Sequence, residues 1–348
     1  MKSLERKYLN NLVLPRNFSS LLRQIGEYKG KQDLYKMQTP DILKNLQKSA
    51  KIQSTESSNR IEGITAPHKR IEEIVEHNPK LRNRPEEEIA GYRDVLNTIH
   101  ENYKHIPLNI NIVLQFHRDL MKYTTLIGGT WKATSNEITE ILPNGQKIIR
   151  FKPIAPFQTA NYMHKLQEFH DDAIQTNELD PLIIINLYIF DFLAIHPFLD
   201  GNGRMSRLLS TLLLYHYGYE VVRYISLERI IEKTKESYYS SLQTASKNWH
   251  EGQHNIVPWL EYMLFVILAA YKEFEERVNF TKSKHGAKTD MVFNTIENHI
   301  GDFSVSDIKK SCPTVSTDWI REVLKDLKKQ NKIICLGKGR SARWRKLN

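Results

Sequence analysis

The sequence predicts a mainly α-helical protein with one inserted β-hairpin and a small α+β unit at its C-terminal end. Three observations carry this prediction. Apolar residues recur at helical spacing through most of the chain, most densely in Leu182–Ile195 and Leu208–Tyr217, and both runs read as helices buried on most sides. Asn144-Gly145 lies between the β-branched residues Ile138 and Ile141 on one side and Ile148 and Ile149 on the other, the strongest short-range hairpin signal. The last sixty or so residues order as helix, helix-turn-helix and hairpin.

Length and composition agree with a globular protein of two or three domains. The chain has 348 residues, 40% hydrophobic and 26% charged, which is enough for a full core. Cys312 and Cys335 are the only cysteines, so neither a disulfide framework nor a Cys-rich zinc site is available. The start, Met1-Lys2-Ser3-Leu4-Glu5-Arg6-Lys7, lacks the apolar core of a signal peptide. The run before His196 is interrupted by Asn186 and Asp191 and is too short for a bilayer. A cytoplasmic protein with no membrane contact is therefore expected. The formal charge of +10 points to acidic partners, nucleotides or nucleic acid, without choosing between them.

Taken in order, residues 1 to about 50 hold helical segments with turns near Pro15, Gly26, Gly30 and Pro40. From Pro40 to Ile61 the pattern is helical, with Leu43, Leu46, Ala50 and Ile52 near a 3–4 spacing, and Gly63 is a natural C-cap. A short helix follows Pro67, then Arg84–Tyr103, opened by Pro85 and three acids, then Asn109–Tyr123. His117 lies on an apolar face there and reads as a packed or surface histidine. The hairpin spans Trp131–Lys152 around Pro143-Asn144-Gly145-Gln146. Its free edge is either covered or a template for another strand. Beyond the central helices, Glu228–Ala245 reads as one helical segment and Ile256–Val278 as a long closing helix.

The polar tract Asn279–Lys288 reads as a linker. Past it come a helix around Asp290–His299, a short helix from Ser304, a longer one from Val315 to Gln330, and two strands around Gly337-Lys338-Gly339. From Lys288 onward there are 13 Lys/Arg against 7 Asp/Glu, a net of +6. This tail resembles a winged helix, a module that binds either DNA or protein.

Between the two apolar helices sits His196-Pro197-Phe198-Leu199-Asp200-Gly201-Asn202-Gly203-Arg204-Met205-Ser206-Arg207. Pro197 should end the first helix and hold His196 extended. Gly201 and Gly203 permit a tight turn and close approach to a ligand. A glycine-rich loop opening a helix aims unpaired N–H groups at an anion. Arg204 and Arg207 add guanidiniums shaped for phosphate oxygens. Asp200 supplies a hard oxygen for phosphate-bound Mg²⁺, and His196 is suited to accept a proton near neutral pH. A structural turn has no use for so many polar groups between buried helices. The local chemistry is a polyphosphate cradle with a base at its mouth.

The string resembles the signature of the Fic family, His-Pro-Phe-x-Asp-Gly-Asn-Gly-Arg-x-x-Arg, at every fixed position. The resemblance implies a Fic-type helical bundle with a β-hairpin flap, and transfer of AMP from ATP to a Ser, Thr or Tyr hydroxyl of a target protein or of the enzyme itself. His196 would be the base and Asp200 the Mg²⁺ ligand. Gly201, Asn202 and Gly203 would hold the α- and β-phosphates, with Arg204 and Arg207 on the β- and γ-phosphates. Ser58–Gly63 is similar to the family's inhibitory motif, so Glu62 would pair with Arg207 and obstruct the γ-phosphate. By the same resemblance Tyr238 and Tyr239 would line the nucleotide site, with Asn248 a candidate for adenine. Ile148, Ile149, Arg150 and Phe151 of the flap would border the nucleotide and pair with a target strand. The implied division is an N-terminal helical segment 1–105, a catalytic core 106–280, a linker 281–288 and a winged helix 289–348. DNA bound through the winged helix and a homodimer are open as further partners. Alternatives are a nucleotide-sensing DNA-binding regulator without transferase activity, and a Fic enzyme that removes AMP or moves another phosphate-containing group.

Overall fold

The computed structural model describes residues 3–347 except 39, 142–146, 298, 300, 313, 314 and 338–341, and leaves aside the side chains of 35–41, 139–148, 279–287, 290 and 294. The expected turns at 143–146 and 338–339 thus lie outside the described residues. The chain forms two compact units, Met1–Phe274 and Glu275–Asn348. Mainly α architecture is what the sequence predicts and what the structure has.

The first unit is built around α8 (Pro181–Ile195), whose residues from Leu182 to Ile195 are all buried. Asp180 caps it by accepting Leu182 N–H at 2.8 Å, with Pro181 in the first turn. α7 (Pro156–Thr176) and α9 (Asn202–His216) flank it. α7 is absent from the elements the sequence predicts, although Met163, Leu166, His170 and Ala173 form its buried stripe. Two polar groups of α8 are satisfied inside the core. Asn186 donates to Leu182 O, and Asp191 receives Ser3 N–H, Ser3 Oγ–H and Trp249 Nε1–H. Burial raises the Asp191 pKa, and these three donors oppose the rise.

Before the hairpin come α1 (Arg6–Leu9), α2 (Asn17–Gln38), α3 (Pro40–Ile61), α4 (His68–His77), α5 (Arg84–Asn102) and α6 (Ile110–Leu120). α3 packs on α4, α5 and α10 (Leu227–Lys233). It ends as Gly63 predicts. Gly63 has φ +81°, its N–H bonds Arg60 O, and Ile64 N–H bonds Asn59 O, which is a Schellman motif. α5 meets α6 at Gly91, where a Cβ would stand 2.8 Å from the carbonyl carbon of Leu120. The hairpin is β1 (Ile138–Ile141) against β2 (Lys147–Phe151), antiparallel, with Thr139 opposite Ile149 and a bulge between Ile138 and Thr139.

Two helical expectations change. Glu228–Ala245 is not one helix but α10 and α11 (Lys235–Ser246), separated at Thr234. The Thr234 hydroxyl bonds back to Ile230 O and to Tyr262 Oη, and a β-branched residue bonding its own turn favours a break. The tract 281–288, read as a linker, lies inside α12 (Val257–Glu297). It contains no proline, and its lysines and alanine favour a helix, so polarity without apolar period was the wrong criterion. The compact units divide within α12, between Phe274 and Glu275.

In the second unit, α13 (Val305–Ser311) opens with a capping box between Ser304 and Asp307. α14 (Thr317–Lys329) follows, then β3 (Ile333–Cys335) antiparallel to β4 (Trp344–Lys346). Phe303, Ile308, Cys312, Ile320, Leu324 and Ile333 form its core. Cys312 and Cys335 are both free.

Candidate functional site

His196 closes α8 as its C-cap. Its N–H bonds Phe192 O at 2.9 Å, with φ 51° and ψ 64°. This left-handed conformation corrects the extended one expected before proline: closing the helix with a hydrogen bond outweighs the local preference. Beyond it the loop doubles back through Gly201, at φ 79°, into the first turn of α9. That positive φ favours glycine, and a Cβ on Gly201 would also press on the mobile end of Met121, 2.6 Å from its Cε.

The loop is held through the carbonyls of Ile195, Pro197, Phe198 and Asp200. Lys132 Nζ donates to Ile195 O at 3.1 Å, and Lys132 N–H to Pro197 O at 2.9 Å. Phe198 O accepts from Asn136 Nδ2 and Asn202 Nδ2, while Asn202 Oδ1 accepts Phe198 N–H. Asp200 O accepts from His117 Nε2 at 3.1 Å. His117 Nδ1 in turn accepts Gly129 N–H, which fixes the tautomer, and the ring stacks on Phe198 at 3.6 Å. Burial lowers the His117 pKa to about 4, so it stays neutral in that role. His117, Lys132 and Asn136 were not singled out by sequence as supports of the loop. They come from elements far from it in the chain, and no spacing links them.

Beside the loop lies a cavity of about 660 Å³, a size suited to a small-molecule ligand. Glu62, Arg150, Phe151, His196, Gly203, Arg207, Tyr238 and Tyr239, all singled out from the sequence, line it together. Its apolar wall comes from Ile138, Phe190, Leu193 and Ala194, and α11 adds Glu236, Ser240, Gln243 and Ser246. Phe151 is backed by His250, stacked at 5.4 Å, whose Nε2 donates to Lys152 O.

Within the cavity His196 is partly exposed and its Nδ1 is buried without a partner in hydrogen-bonding geometry. Burial lowers its pKa to about 4, helped by Lys132; the Leu193 carbonyl, Glu62 and Asp200 act the other way. The ring is therefore unprotonated at neutral pH, the state of a base. Arg207, buried, donates from Nε to Ser58 Oγ at 2.8 Å, and from Nη2 to Ser58 O at 2.9 Å and Glu62 Oε1 at 2.7 Å. Ser58 and Glu62 are thus brought to Arg207, while Gly63 serves as the helix cap. Tyr238 is buried with its phenol pKa raised by burial, and Tyr239 meets it edge-on at 5.2 Å.

Other residues stand elsewhere than the resemblance implies. Arg204 is only 1% exposed and sits beneath the loop, with Nη1 2.7 Å from Glu88 and Nη2 3.5 Å from Asp200. It braces the loop and does not line the cavity. The Asn202 side chain is consumed by Phe198, leaving only backbone for an anion. Gly201 does not line the cavity either. Asn248 is exposed at φ 59° outside the cavity, where a left-handed turn suits asparagine; Gln243 and Ser246 line the wall instead. Ile149 is 57% exposed and away from the lining, and the Ile148 side chain lies outside the described residues. Asp200 is half-exposed and not among the residues lining the cavity, 3.9 Å from Arg84. Among the described residues no group of three or more His, Cys, Asp and Glu could hold a metal. A single half-exposed carboxylate does suit Mg²⁺ carried mainly by phosphate oxygens and water.

Residues 107–214 match the family model described as Fic/DOC. A Fido domain-containing protein of Dictyostelium discoideum is 33% identical over 78 residues, 22% of this chain and 50% of that protein. The protein adenylyltransferase Fic of Drosophila grimshawi is 30% identical over 144 residues, 41% of this chain and 26% of its own length. The chain thus spans half of one relative and about a quarter of the other. Among solved structures, a Fic family protein from Desulfovibrio desulfuricans superposes with a TM-score of 0.62 at 19% identity, covering 97% of both chains. Fic-1 from C. elegans does so with 0.59 at 19% identity, over 76% of this chain and 73% of that one. At such identities the superpositions speak for a shared fold.

Proposed function

We propose that this chain, a member of the Fic family, is a protein adenylyltransferase that moves AMP from ATP to a side-chain hydroxyl of a target protein and of itself. The observation that carries the reading is a neutral imidazole, His196, in one cavity with a buried guanidinium, Arg207, and the glycine-started turn of α9. The Drosophila grimshawi relative named as a protein adenylyltransferase supports it. The triphosphate would lie over the first turn of α9, at Gly203 and Arg207, with the base between Tyr239 and the apolar wall. His196 Nε2 takes the proton of the target hydroxyl while its oxygen attacks the α-phosphorus. The α–β bridging P–O bond breaks and pyrophosphate leaves. Asp200 would hold Mg²⁺, which supplies charge neutralisation on the phosphates. Positioning and charge then account for most of the acceleration.

Two finer assignments belong to the same proposal. Glu62 restrains the enzyme by occupying Arg207, and the flap β1–β2 binds the target by strand addition. For the second unit the reading the charges favour is protein docking rather than duplex DNA. Along α14, Arg321, Lys325 and Lys329 each lie within 4 Å of an acid three residues earlier, Asp318, Glu322 and Asp326, so the helix presents alternating charge instead of a basic stripe.

The test is label transfer from α-³²P-ATP to protein, wild type beside Glu62→Gly and His196→Ala. Transfer by the first two and none by His196→Ala, with ATP still bound, is expected. Absence of label with Glu62→Gly over a broad set of protein substrates would sink the assignment.

A further inference from the structure

Lys132 is 4% exposed, and among the described residues no carboxylate lies within ion-pairing distance of it. Burying an ammonium without a counter-charge is costly, and burial lowers its pKa to about 8. A methionine would fill the space without that cost. What the ammonium does instead is donate to Asn136 Oδ1 at 3.0 Å and to Ile195 O at 3.1 Å. Ile195 is the last residue of α8, so the cation meets the negative end of a fifteen-residue helix. The Lys132 backbone N–H takes Pro197 O at 2.9 Å, and Asn136 Nδ2 takes Phe198 O at 3.1 Å.

We propose that Lys132 is a positioning residue for His196: with Asn136 it holds the carbonyls of Ile195, Pro197 and Phe198, and so sets where the imidazole stands in the cavity. The need for such a clamp follows from the backbone. His196 is a non-glycine residue at φ 51°, a conformation that persists only where the surroundings over-determine it. Among the charged groups that bear on the imidazole, Lys132 disfavours its protonation while Glu62 and Asp200 favour it, and Arg150 and Arg207 share its cavity. The phosphate end of the cavity is held separately, through Ser58 and Glu62 on Arg207. Loss of the clamp should therefore displace the base and leave nucleotide binding in place.

The inference rests on the transferase reading for its kinetic arm, and a spectroscopic arm stands without it. In the Glu62→Gly background, Lys132→Met should lower kcat for AMP transfer by about a hundredfold, the cost of misplacing a reacting group by about 1 Å. ATP affinity by calorimetry should stay within about twofold. Lys132→Arg, which keeps charge and donors, should restore most of the rate. In protein labelled with ¹⁵N-histidine, the ring resonance missing from the His196→Ala spectrum should shift in Lys132→Met and return in Lys132→Arg. A folded Lys132→Met with that resonance unmoved, or with ATP affinity falling as far as kcat, overturns the proposal. Should Lys132→Met not fold, Asn136→Ala removes the Phe198 contact and one acceptor of the Lys132 ammonium while leaving Lys132 on Ile195 O; an unmoved His196 resonance there overturns it equally. A moved resonance in a protein that transfers no AMP would refute the transferase reading and keep the clamp.

Discussion

Glu62 Oε1 stands in the space that a Cβ on Gly203 would need, and the same oxygen accepts Arg207 Nη2–H at 2.7 Å. One carboxylate thus lies against the first turn of α9 and on its guanidinium at once. An anion arriving at that helix start meets a negative charge already there. The contact is built by α3, whose Schellman end sets Glu62 just past its last turn.

Removing that carboxylate should raise activity. A charged hydrogen bond contributes about 1.5–3 kcal/mol, and each 1.36 kcal/mol is about tenfold in rate, so Glu62→Gly should speed AMP transfer roughly ten- to a hundredfold. Glu62→Asp should gain less, because a shorter carboxylate keeps part of the contact. Arg207→Ala should gain nothing, and the double variant should behave like Arg207→Ala. Initial rates at fixed ATP decide it; equal rates for wild type and Glu62→Gly would count against inhibition.

Gly91→Ala should be among the most damaging small substitutions in the chain. Its new Cβ meets the Leu120 carbonyl group, backbone that cannot rotate away. A loss of about 3 kcal/mol or more is expected, at the upper end of overpacking costs. Gly63→Ala meets nothing within 4 Å and is strained only by its φ of +81°, so its loss should be nearer 1 kcal/mol. Urea denaturation of the two side by side checks the order.

Acid should destabilise the first unit before its carboxylates titrate. Burial lowers His100 to about 3 and His117 to about 4, whereas unfolded histidine titrates near 6.5. Their neutral burial is therefore fully stabilising above about pH 6.5 and is lost as pH falls toward 4, because the unfolded chain binds the protons first. His117→Gln removes one such proton. Between pH 6 and 5 its unfolding free energy should fall less steeply than wild type by up to about 1.4 kcal/mol per pH unit. Parallel curves would show that His117 does not titrate on unfolding.

The C-terminal unit should bind duplex DNA feebly. With three cations of α14 matched to acids, few phosphates are neutralised and the salt dependence should be shallow. Titration of the full chain with labelled duplex at two salt concentrations tests this. Tight binding with a steep salt slope would return the unit to the DNA-binding class.

The sequence by itself determined the helical class, the hairpin and the chemistry-bearing string, because each rests on local rules. Helical period makes the apolar face of α3 and the all-round burial of α8, Gly63 needs only its own φ, and the twelve residues from His196 are contiguous. Tertiary structure alone decided which of those residues reach the cavity. Arg204 and Arg207 are three apart and chemically alike, yet one lies under the loop on Glu88 and the other faces Glu62. Their directions depend on α5 and α3, more than a hundred residues earlier. The same holds for His117, Lys132 and Asn136. Each binds a carbonyl oxygen, a group every residue carries, so nothing in the side-chain pattern marks the pairing until the chain is folded.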